Sequence, residues 1–166
     1  MTIKKLTQAT KEIVAYRTDI INNLLKFATM DMLLFWGTDE SLQAKQAEEW
    51  EPVLKWAREE FGGKYKATQS LEIQKENLDS GEGLKNFLEK LSDKQLAAFY
   101  LAALNMRSVL LASALVKGKI NSEQAYKAAS LEEIFQAEKW GKDIEAEAKR
   151  KERKQELTDI EKFLRQ

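Results

Sequence analysis

The near absence of helix breakers constrains this chain most. Across 166 residues there is one proline, Pro52, and there are seven glycines. Proline removes a backbone donor and clashes with the preceding turn, and glycine weakens a helix interior. Between the few breaks, apolar residues recur every three or four positions, and strand-like alternation is almost missing. The pattern predicts an all-α chain, a multi-helix bundle whose helices are joined by short loops, with 1–166 as a single helical domain.

The periodicity places the elements. A short amphipathic helix is expected over Ile3 to Tyr16. A second is expected from about Thr18 to Trp36, carried by Ile20, Leu24, Phe27, Met30 and Leu34, with Gly37 as its C′ residue. Asp39 or Ser41 caps a third that reaches about Phe61 and stops at Gly62 and Gly63, and Pro52 inside it predicts a kink or a split. Lys64 to Asp79 is irregular, with Tyr65 to Thr68 extended. A turn at Ser80 to Gly83 leads into a helix from Leu84 to about Leu91. Ser92 and Gln95 form a capping box that opens one long apolar helix ending at Gly118, the buried centre of the bundle. Asn121 or Ser122 caps a helix that reaches Trp140, Gly141 breaks it, and the last helix covers about 143–164.

Hydrophobic residues make up 43% and charged residues 33%, a globular composition with a highly charged surface. A chain of this length buries roughly 70% of the surface its unfolded form exposes. Lys plus Arg is 27 and Asp plus Glu is 27, so no net field draws the protein towards nucleic acid or anionic lipid. There is no Cys and no His. Disulfides, thiolate nucleophiles, the usual zinc sites and the usual general base are therefore excluded, and the reading is a non-enzyme without metal or cofactor. The N-terminus lacks the apolar stretch of a secretory signal. Leu96 to Val116 is long and apolar, but Arg107 stands near its middle, where a bilayer would charge about 2.5–3.5 kcal/mol for it. A buried helix is expected there, without membrane insertion.

Four constellations remain. The basic run Lys149, Arg150, Lys151, Arg153 and Lys154 is interleaved with acids that repel phosphate, so it reads as a solvated helix laced with i,i+4 pairs such as Glu147 to Lys151 rather than as a nucleic-acid patch. Glu48 with Glu49 and Glu59 with Glu60 read as solvent-facing acids, because a helical di-metal site needs histidines as well. Trp36, Trp50, Trp56 and Trp140 read as core, with Trp140 sealing a helix end. A chain of this kind acts through its surface, as a binding module, chaperone or assembly factor.

Two stretches resemble one family. Trp50-Glu51-Pro52-Val53-Leu54-Lys55-Trp56, continuing to Gly62, is similar to a Trp-Asp/Glu-Pro-Leu-Leu-x-Trp motif. Ser130 to Gly141 is similar to an acidic segment ending in Gln-x-x-x-Trp-Gly, here Gln136, Trp140 and Gly141. Met1 to Thr7 resembles the entry into the same helical region. Together these motifs, with their spacing, resemble the helical C-terminal domain of the ATP12 family, assembly chaperones for the α subunit of F1 ATP synthase. The likeness covers nearly the whole chain. It departs from the pattern in two places: the family's N-terminal β domain is absent from this chain, and Phe35 and Trp36 replace a pair that is often Cys-Tyr.

The resemblance implies a monomeric chaperone that binds the free F1 α subunit and shields its subunit interface until F1 assembles, without cofactor. A functionally important acid in the family matches Glu132. Glu132, Glu133, Gln136 and Trp140 are accordingly the expected partner-binding residues. For Glu132 the competing reading is an internal ion pair holding the last helix. A helical adaptor without client-holding activity is the alternative function. Bacterial cytoplasm is the expected location, with the mitochondrial matrix as the alternative.

Overall fold

A computed structural model describes residues 2–166, so Met1, which opens the family-like entry segment, lies outside the described residues. Among them are eight α-helices and two single 3-10 turns, with one isolated parallel bridge, Phe35 to Thr68, and no strand. The all-α expectation holds.

The helices are α1 (Thr2–Ala28), α2 (Glu40–Phe61), α3 (Glu82–Lys90), α4 (Asp93–Met106), α5 (Val109–Val116), α6 (Ser122–Ala129), α7 (Leu131–Trp140) and α8 (Ile144–Leu164). α4 and α5 form the centre. α1 lies along α4, α2 packs on α5 and α3, and α8 closes the other side against α6 and α4. Every residue from Val109 to Leu115 is buried. At about 25 cal/mol per Å² of apolar surface, this central layer is the main source of stability.

Capping was legible. Asp39 accepts from the Ser41 and Leu42 amides, and Gly62 ends α2 with φ of 81°. Ser92 with Gln95, and Asn121 with Gln124, both form complete capping boxes. Asp143 caps α8.

Several boundaries differ from expectation. The first two predicted helices are one, α1, with a non-helical residue at Tyr16 (φ −134°, ψ 33°). This helix stops at Ala28 rather than Trp36, and Gly37 caps nothing. Asp31 turns inward instead, and its carboxylate starts the 3-10 turn Met32–Leu34 by accepting from the Leu33 amide. Trp36 N then donates to Thr68 O and Thr68 N to Leu34 O, both at 2.8 Å, which makes the bridge. Pro52 does not split α2. It faces solvent, so the Glu48 carbonyl that loses its donor can be hydrated, while Trp50, Val53, Leu54 and Ala57 hold the opposite face in the core.

The central apolar helix is two helices. Arg107 adopts a left-handed conformation (φ 56°) and Ser108 caps α5 through the Leu111 amide. The reason is tertiary. Asp31 Oδ2 accepts from Leu110 N at 2.9 Å and Oδ1 accepts from the Ser108 hydroxyl. The carboxylate is fully buried, and it satisfies helix-end donors that a continuous helix would not expose. Among the described residues, no helix is long and apolar enough to cross a membrane. The predicted helix ending at Trp140 is likewise two, divided at Ser130.

Candidate client surface on helix α7

α7 is the helix least tied to the core: none of its ten residues is buried. It still carries Leu131, Ile134, Phe135 and Trp140, an apolar set that a soluble helix normally covers. Trp140 is 75% exposed, which corrects the expectation that it seals a helix end in the core. Gly141 (φ 100°) follows and ends the helix, and Lys139 Nζ lies 5.6 Å from the Trp140 ring centroid. Trp50 is wholly buried and donates its indole N–H to Ala128 O at 2.9 Å, as a core tryptophan should, while Trp36 and Trp56 are half-buried against the core.

The two adjacent acids of α7 have different jobs. Glu132 Oε1 accepts from Gln46 Nε2 at 3.1 Å, and Gln46 Oε1 accepts from Gly37 N at 3.1 Å. This short relay ties α7 to α2 and fixes the orientation of the Gln46 amide. The Glu132 residue is exposed, yet its carboxyl borders a small cavity of about 120 Å³ beside Met32, Trp50 and Met106. Partial burial pushes the Glu132 carboxyl above its ordinary range, and the Gln46 bond opposes the shift. Glu133 faces α8, where Arg153 Nη1 donates to it at 3.2 Å and to Ser130 Oγ at 3.0 Å. The ion pair expected of Glu132 with the last helix is therefore made by its neighbour, and the partner of Glu132 is on α2.

Glu133, Gln136 and Trp140 line one open groove of about 630 Å³ between α7 and the first turns of α8. Glu132 opens on the other side of Glu133, into the smaller cavity. Arg107, Glu133 and Arg153 border both spaces, so the cavity and the groove adjoin at Glu133, with Glu132 on one side and Gln136 and Trp140 on the other.

α8 also corrects the reading of the tail. Its charges pair across the fold: Lys5 with Glu156 of α8 at 2.6 Å, Lys154 with Glu123 at 3.1 Å, and Arg153 with Glu133. Glu147 pairs with Lys142 at 3.8 Å, not with Lys151. Arg150 is buried. The signal was present in the spacing, because Arg150, Arg153, Leu157 and Ile160 share one helical face. Among the described residues there is no cluster of three or more acids able to hold a metal ion.

A family model described as ATP12 chaperone protein matches residues 1–58. The mitochondrial atp12 protein of Schizosaccharomyces pombe is 26% identical over 125 residues, which is 71% of this chain and 43% of that protein. The crystal structure of Atp12 from Paracoccus denitrificans superposes with a TM-score of 0.86 at 27% identity, over 99% of this chain and 72% of that one. The chain is similar to ATP12 proteins, in sequence over its first two helices and in fold over nearly its whole length. A point mutant of the Paracoccus protein gives the same score over 71% of its chain. The chain spans less than half the length of the yeast relative it matches. The family model covers α1 and most of α2, including Trp50 and Trp56, whereas α7 lies outside that match and is reached by the structural superposition.

Proposed function

We propose that this chain is an assembly chaperone of F1 ATP synthase, binding the free α subunit and shielding its subunit interface until F1 assembles. The observation that carries the proposal is α7, a helix of a chaperone family with no buried residue and an exposed Trp140. Exposed apolar groups rimmed by charge are what a surface that must hold an unassembled subunit needs. Glu132, Glu133, Gln136 and Trp140 are the client-binding residues. Glu132 is the acid placed to fix register with a basic client group, since its Gln46 bond leaves one carboxylate oxygen available. Residues 1–166 work as one helical domain, by binding and without catalysis, in the bacterial cytoplasm or, for a mitochondrial form, in the matrix.

The test is co-expression with F1 α subunit, scoring soluble α and its co-purification at two salt concentrations. Soluble, co-purifying α is the expected result. If α aggregates as it does alone, and adding the β domain found in the family does not rescue it, the chain is a helical adaptor and the proposal fails.

A further inference from the structure

We infer that the groove between the C-terminal half of α7 and the first turns of α8 is a receptor for an acidic, partly apolar polypeptide segment, with Arg150 as its carboxylate anchor. Arg150 is 8% exposed. Among the described residues its guanidinium makes no hydrogen bond and no ion pair, although Arg153 three residues on makes both. A guanidinium is always charged and offers five donors; no Arg150 nitrogen is sealed from solvent, so water meets them in the free protein and a ligand acceptor entering the groove can take its place. Its surroundings repeat the imbalance. Arg107 and Lys149 line the same groove, and among the described residues neither has an ion-pair partner. The two carboxylates of the groove are already engaged, Glu133 by Arg153 and Asp143 by the Glu145 and Ala146 amides at the start of α8.

The groove therefore presents three cations without an ion-pair partner beside one exposed aromatic wall, Trp140. A carboxylate matches the guanidinium fork of Arg150, and an adjacent aliphatic or aromatic side chain matches Trp140. A continuous phosphate chain fits less well, because Glu133 and Asp143 stand within the groove and would repel it, whereas spaced carboxylates avoid them. The inference deepens the client-binding proposal and rests on it for the natural owner of the acidic segment.

The experiment titrates the full chain with a labelled synthetic peptide alternating Glu with Leu or Ile, read by fluorescence anisotropy. A Lys-for-Glu counterpart and a single-stranded oligonucleotide of similar length are run alongside. The acidic peptide is expected to bind, more weakly as salt rises, and the Lys peptide is not. Arg150→Gln should weaken binding about tenfold or more. Lys149→Glu, at an exposed position, should weaken it with thermal unfolding unchanged, which guards against a folding defect at Arg150. The inference is overturned if the acidic peptide fails to bind, if both variants bind it like the parent, or if the oligonucleotide binds more tightly. Peptide binding with no hold on α subunit would remove the client reading alone. Retention of α by parent and both variants alike would remove the groove alone.

Discussion

The Ser108 hydroxyl donates to Asp31 Oδ1 across 2.7 Å, joining residues 77 apart in the chain at the point where the apolar centre breaks into α4 and α5. Burial pushes the Asp31 carboxyl up to about 6, against the lowering effect of bonds from Leu110, Leu33 and Ser108. Between about pH 4 and pH 6 the folded protein holds a proton there that the unfolded chain has released. Stability from this group is thus full below pH 4 and falls as pH rises to 6, by up to about 3 kcal/mol. Asp31→Asn removes the titration. Urea unfolding of both proteins from pH 4 to 7 should show the parent losing stability relative to the variant as pH rises. A pH-independent gap would mean that Asp31 titrates normally.

Trp50→Phe should cost about 2–3 kcal/mol. The change leaves the Ala128 carbonyl without its donor and opens a void in a fully buried site. A lower midpoint in denaturant with an unchanged slope is the expected signature.

Trp140→Ala should do the opposite. Its ring is mostly in solvent, so stability should move by no more than about 0.5 kcal/mol, while retention of α subunit falls. Unfolding midpoints and co-purification measured on one preparation separate the two effects. A large loss of stability would return Trp140 to the core.

Glu132→Lys should leave the fold intact and abolish the hold on α. The Gln46 bond is lost, but lysine at an exposed position stays hydrated. A variant that holds α like the parent would remove Glu132 from the client surface.

Arg153→Gln should cost more than Glu133→Gln. Arg153 is the more buried partner and also supports Ser130, so its loss should cost about 1–2 kcal/mol, whereas the half-exposed Glu133 is worth about 0–1 kcal/mol. Hydrogen exchange should show the α7 amides opening faster in Arg153→Gln. Equal protection in both variants would place the anchoring of α7 elsewhere.

Much of the local structure was readable in the chain. The caps at Asp39, Ser92 and Asn121, the stops at Gly62 and Gly141, and the tail helix all depend on residues within a turn of the boundary. The ATP12 likeness was readable too, because tryptophan, proline and glycine at fixed offsets survive in sequence. The misplaced boundaries share a different cause. Nothing near residue 107 says that Asp31 will arrive to cap α5, and the hydrophobic period runs through the break unchanged. Pro52 was read by its local penalty, which hydration on the solvent side relieves.

The sequence by itself determined the helical class, most of the caps and the likeness to the ATP12 family, because propensity, periodicity and short motifs are local. Only the tertiary structure decided where the central helix breaks, that Glu133 rather than Glu132 binds α8, that Trp140 is in solvent, and that Arg150 is buried without a partner. Each of these depends on which distant group comes within a few ångströms, and helical spacing specifies a face without specifying what that face will meet.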